Sequence, residues 1–140
     1  MQARLSNSVL PLGAVSIPVV SVKALRGAIQ TSENEASAIR AATVELMTAL
    51  MERNSLQPGD LISCLFTLTE DLDAEFPAAA AREIGLDGVP LMCAREIPVP
   101  GSMERVVRVL VHYEAAADAK QEHVYLGGAQ ALRPDLDSAQ

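Results

Sequence analysis

Arg108 interrupts Val106-Val107-Arg108-Val109-Leu110-Val111, a run otherwise so apolar and so rich in β-branched residues that it reads as a buried strand. A guanidinium there needs an anion, because breaking a buried ion pair costs roughly 3–5 kcal/mol. Its planar fork of donors suits a carboxylate, and that carboxylate belongs either to the protein or to a ligand. Three further arginines, Arg26, Arg82 and Arg133, fall at the ends of expected elements, with Glu96 and Tyr125 near them. Arginines matched to a few carboxylates point to bidentate recognition of a di-anionic small molecule, with Glu96 as an internal alternative that neutralises Arg108.

The usual catalytic constellations are missing. There is no Gly-rich phosphate loop, no nucleophile elbow and no His-x-Glu or Cys-x-x-Cys metal signature, so neither metal nor cofactor is expected. His112 and His123 lie in strand-like runs with no evident nucleophile partner and read as structural. Nothing in the sequence marks Cys93 as an activated nucleophile, and it reads as a packing or hydrogen-bonding thiol. Cys64 and Cys93 are too few and too far apart for a disulfide framework or a zinc site, and are expected to be reduced thiols in the cytoplasm.

The elements that position these residues alternate along the chain. Ser16–Leu25 reads as a first strand that turns at Arg26-Gly27. Ser32-x-x-Glu35 has capping-box spacing, and Ile39, Leu46, Met47 and Leu50 share a helical stripe ending near Asn54. Pro58-Gly59-Asp60 marks a loop, and Leu61–Leu68 is apolar enough for a central strand. Pro77, the alanines after it and Gly85 bound a short second helix. Strands are then expected at Val89–Cys93, Arg105–Glu114 and His123–Leu132.

This order predicts an α/β fold, a mixed sheet of about five strands covered on one face by two helices. Two helices cannot shield both faces of such a sheet, so subunits are expected to pack sheet against sheet in a homo-oligomer. The domain is expected over residues 21–136, with 1–20 as an extension, whose only charge is Arg4, and 137–140 as a tail. With 18 acidic against 11 basic residues, two Phe, two Tyr and no Trp, the chain lacks the footprint of a nucleic-acid binder. Pro11, Pro18 and Lys23 break up the N-terminal apolar stretch, so no bilayer-spanning segment is expected.

Five stretches carry a specific resemblance: Leu25-Arg26-Gly27-Ala28; Thr69-x-Asp71-Leu72-x-Ala74-x-Phe76-Pro77-Ala78; Val89-Pro90-Leu91-x-Cys93-x-x-Glu96; Arg108-Val109; and His123-Val124-Tyr125-Leu126 ahead of Leu132-Arg133-Pro134-Asp135-Leu136. In that order and spacing, from about Val22 to Leu136, the chain resembles the monofunctional chorismate mutases of the AroH type. The resemblance implies a homotrimer with a pseudo α/β barrel core, active sites between subunits, and the cofactor-free rearrangement of chorismate to prephenate. It implies that Arg108 contacts the substrate's ether oxygen and a carboxylate, that Arg26 and Tyr125 hold carboxylates, and that Glu96 and the Cys93 backbone meet the ring hydroxyl. Phe76 and Ala78 would be a wall supplied by the neighbouring subunit, Arg82 and Arg133 charges near the mouth, and Leu91 and Leu132 pocket lining. Ala79 stands where the family commonly has lysine, and Met92 where it often has threonine. The rival expectations are an imine or enamine deaminase of the RidA type and a non-catalytic trimer that binds a small anion.

Overall fold

The computed structural model describes residues 19–132. The strands are β1 (Val20–Gln30), β2 (Leu61–Leu68), β3 (Leu91–Arg95), β4 (Val106–Ala116) and β5 (Val124–Leu126), and the helices are α1 (Ala36–Arg53) and α2 (Pro77–Ala81). They form one sheet in the order β3-β2-β4-β1-β5. β4 runs antiparallel to both β1 and β2, whereas β5 lies parallel to β1 and β3 parallel to β2. The mixed sheet is therefore held together by a single reversed strand, β4.

One face of this sheet is covered. Leu25 and Ile29 of β1, Phe66 and Leu68 of β2, and Val107, Val109 and Val111 of β4 join the stripe Ile39, Leu46, Met47 and Leu50 of α1 in one core, with Ala81 and Leu86 from the α2 region. α1 approaches β1 very closely at Gly27, where an added Cβ would lie 2.9 Å from Leu50 Cδ1 and 3.1 Å from Leu46 Cδ1. The one hydroxyl buried in the stripe is satisfied locally, Thr43 Oγ1 donating to the Ile39 carbonyl at 2.8 Å. The opposite face stays open, and Val20, Val22, Leu65 and Met92 on it are 37–68% exposed.

Several boundaries differ from expectation for physical reasons. β1 does not end at Arg26-Gly27 but continues to Gln30, because Gly27 serves close helix packing and not a turn. The Ser32-x-x-Glu35 capping box does not form; Glu35 is the N-cap of α1 and makes no side-chain cap bond. A reciprocal cap occurs instead at the short turn Pro58–Asp60, where the Gln57 amide donates to Asp60 Oδ2 at 2.8 Å. The last strand is three residues, not ten: Gly127, at φ +59°, turns the chain into a 3₁₀ segment, Gly127–Leu132. α2 stops at Ala81 and passes through a wide turn, Arg82–Leu86, in which Gly85 takes the expected left-handed stop at φ +99°. β3 lies two residues later than expected, and β4 spans Val106–Ala116, starting one residue and ending two residues later than expected. The residues before 19 and after 132, including most of the expected extension, the tail and Arg133, lie outside the described residues. Among the described residues no helix is long and apolar enough to cross a membrane.

Candidate functional site

The open face of the sheet carries the charges. Period-2 alternation sends Val107, Val109 and Val111 to the helices and Arg108, Leu110 and His112 the other way. Strand register then sets Thr67, Arg108, Ala28 and Tyr125 side by side across four strands, and Leu65, Leu110 and Arg26 in the next row. These residues line a concavity of about 260 Å³: Arg26, Leu65, Thr67, Arg108, Leu110 and Tyr125. Arg108 is thus not a charge sealed in a core. Its strand is buried on the helix side, while its own side chain is 42% exposed.

Glu96 joins this row from the chain beyond β3. Its backbone amide donates to the Leu68 carbonyl at 2.9 Å, extending the β2–β3 ladder by one rung. The carboxylate is only 16% exposed, and its Oε2 accepts from Arg108 Nε at 2.8 Å and from Thr67 Oγ1 at 2.7 Å. A pair this accessible at the arginine end contributes no more than about 1 kcal/mol to stability. Its effect is orientation: the carboxylate grips the Nε edge of the fork while the half-exposed guanidinium still borders the concavity.

The neighbours of this pair are fixed as well. The Arg26 amide donates to His123 Nδ1 at 3.0 Å, just before the β1–β5 pairing begins at Gly27 and Val124. Tyr125 packs with Ala28, Val106 and Ala129 in a small cluster that Leu132 and Met103 border.

A second group sits elsewhere. Phe76, the N-cap of α2, is 68% exposed, and its neighbours Ala78 and Ala79 are buried and half-buried, whereas Arg82 is exposed. Phe76 and Cys93 line a separate concavity of about 420 Å³ with Leu68, Leu72, Glu75 and Arg95. Cys93 and Leu91 face the helix side of the sheet, where both pack against the core, and Met92 faces the open side beside Leu65. The chain therefore sets Arg26, Arg108 and Tyr125 around one concavity, with Glu96 bonded to Arg108 and Leu132 against the cluster of Tyr125, and Phe76 and Cys93 around another, with Ala78, Ala79 and Arg82 following Phe76 along α2.

The profile of the family described as Chorismate mutase type I matches residues 22–136. The chain belongs to this family. Among its relatives, the chorismate mutase AroH of Thermus thermophilus is 50% identical over 123 residues, 85% of this chain and 99% of that protein. The chorismate mutase AroH of Bacillus subtilis (strain 168) is 34% identical over 117 residues, 82% of this chain and 92% of that protein. A solved chorismate mutase from Clostridium thermocellum superposes with a TM-score of 0.73 at 46% identity, covering 78% of this chain and 98% of its own.

One residue of this row that sequence reasoning passed over is Thr67. Leu61–Leu68 looked apolar throughout, yet it is buried on one side only, with Cys64, Phe66 and Leu68 turned inward and Leu65 and Thr67 outward. The signal was the hydroxyl of Thr67 in a largely apolar run, meaningful only once the register opposite Arg108 was known. Arg95 was also passed over; its Nη1 donates to the carbonyls of Thr69 and Leu72, each at 2.9 Å, and so ties down the loop that leads to Phe76.

Proposed function

We propose that this chain rearranges chorismate to prephenate, and that the observation carrying this reading is the row Thr67, Arg108, Tyr125 with Arg26 beside it, open to solvent and backed by Glu96. The reaction breaks a carbon–oxygen bond and forms a carbon–carbon bond within one molecule, so no group on the protein need attack or transfer a proton. What accelerates it is a folded near-attack conformer and positive charge where negative charge grows on the ether oxygen. Arg108 is assigned the ether oxygen and one carboxylate, since Glu96 occupies its Nε edge and leaves the rest of the fork for substrate. Arg26 and Tyr125 take carboxylate oxygens. Glu96 and the backbone at Cys93 meet the ring hydroxyl, and Leu132 lines the pocket beside Tyr125. Leu91, packed inward, contributes by fixing the β3 backbone.

The second group of residues completes the site in a neighbouring copy. In this reading three chains pack open face to open face as a pseudo α/β barrel, each presenting Phe76 and Ala78 as a wall to the adjoining concavity, with Arg82 and Arg133 as charges at its mouth. The working domain is residues 21–136, and the cytoplasm is the proposed compartment.

Loss of chorismate, followed together with appearance of prephenate in buffer without added metal, tests the assignment. Turnover is expected. Binding of chorismate with no turnover would instead select a non-catalytic anion-binding trimer.

A further inference from the structure

Phe76 is an exposed aromatic on a loop, yet that loop is held by an unusual number of side-chain bonds. Asn34, just before α1, donates through Nδ2 to Asp73 Oδ1 at 2.7 Å, and its Oδ1 accepts the amides of Asp73 at 3.0 Å and Ala74 at 3.1 Å. One residue further on, Glu75 Oε2 accepts from Arg40 of α1, at 2.8 Å from Nε and 2.7 Å from Nη2. Its other oxygen, Oε1, accepts the amide of Phe76 itself at 3.0 Å. The Phe76 amide first, and then the Arg40 guanidinium, hold the Glu75 carboxyl below the usual carboxylate range.

Ordering a loop costs conformational entropy, and Phe76, 68% exposed, returns little burial within its own chain. A ring left in solvent on a backbone held in this way makes sense where something else packs against it. We propose that Asn34 and Glu75 are positioning residues that lock Phe76 to α1 as a preformed wall for the substrate site of an adjoining copy. This rests on the reading of Phe76 given above. Asn34 sets the path of the chain into the loop, and Glu75 sets the backbone at Phe76, so the ring needs no ordering when the site fills.

The chain has two phenylalanines, Phe66, fully buried, and Phe76, so a protein labelled with 4-fluorophenylalanine gives one fluorine resonance for the core and one for the wall. In Glu75→Ala the Phe76 resonance is expected to narrow and move towards that of a freely rotating side chain while the Phe66 resonance stays in place. The same variant should lose about 10- to 100-fold in kcat/KM, the scale of a misplaced positioning group. Glu75→Gln, which keeps an acceptor for the Phe76 amide, should stay nearer to wild type. Glu75→Ala should add no further loss in a Phe76→Ala background, because it acts through that ring.

Full activity and unchanged fluorine spectra in Glu75→Ala and Asn34→Ala, beside a damaged Phe76→Ala, would overturn the positioning role and leave the wall standing. A loss in Glu75→Ala that adds fully to that of Phe76→Ala would also overturn it, as a purely structural effect. Wild-type activity in Phe76→Ala would remove both the wall and the role of its supports. Where Glu75→Ala fails to fold, Asn34→Ala and Glu75→Gln make the same comparisons.

Discussion

Arg108 stands on the open side of β4, at the border of the smaller concavity. The apolar run around it made the charge conspicuous, but the guanidinium escapes the core by facing the open side of β4, and Glu96 answers it from twelve positions away. Removing the charge by Arg108→Ala should leave the fold intact, since so exposed a pair adds little stability. It should cost roughly 3–4 kcal/mol or more of transition-state stabilisation, a fall of about 10²–10³ or greater in kcat, the scale of losing an oxyanion donor. Arg108→Lys should recover little of it, because an ammonium cannot offer one edge to Glu96 and another to substrate. Steady-state kinetics beside circular dichroism checks both statements. Burial pushes the Cys64 thiol from an ordinary value of 9.0 up to about 11, so the folded state keeps its proton longer than the unfolded chain does. Stability is then complete below about pH 9 and falls as pH rises towards about 11, by roughly 2–3 kcal/mol. Urea unfolding across that range should show the decline, and Cys64→Ala should flatten it.

Among the elements, β1 and α1 do most to hold the charged row in place. Gly27→Ala would set a methyl group against Leu50, Leu46 and, at 3.3 Å, the Val124 carbonyl, so the close approach of α1 to β1 and β5 has to give. Overpacking of this kind should cost about 1–3 kcal/mol, measured as a lower urea midpoint, with activity reduced because Arg26 and Tyr125 stand on the two strands concerned. α1 also steadies both ends of the site. Near its start Asn34 holds the Phe76 loop, and at its close Asn54 holds Glu122, accepting the amide at 2.8 Å and donating to the carbonyl at 2.9 Å, two residues before Val124 begins β5. What could be read in advance follows from this. The α1 stripe and the strand character of β2 and β4 were legible because burial on the helix side imposes a strong hydrophobic pattern. The limits of β1 and β5 were not, because a glycine in a strand and a glycine at a turn look alike in sequence; Gly27 was the first and Gly127 the second. Bonds between distant side chains, such as Thr67 to Glu96 or Arg40 to Glu75, leave no periodic trace.

For the whole molecule the decisive feature is the uncovered face. Val20, Val22, Leu65 and Met92 add exposed apolar surface to the face that carries the charged row, an arrangement that suits packing against another copy. Wild-type protein is expected to run as three chains of 14.8 kDa in light scattering. Leu65→Glu should yield folded single chains without activity, because the unpaired carboxylate cannot be buried against a second copy; a trimer of normal activity from that variant would refute the face-to-face assembly. Division of the site between copies has its own signature. Arg108→Ala and Phe76→Ala chains, each poor alone, should regain part of wild-type activity when folded together, since a mixed trimer contains some sites built from the sound half of each.

The reversed strand has a consequence in time. β1 and β2 never touch; each is joined to the sheet through β4, which comes near the end of the chain. During synthesis at about 5–20 residues per second, roughly 4–15 s separate the appearance of the last residue of β1 from the first of β4. Through that interval β1 has neither of its mates, β4 and β5, and its pairing depends on contacts between residues far apart in sequence, the kind that form slowly. The molecule should therefore fold late and all at once, with its arginine row coming into being at the same moment as the sheet that carries it.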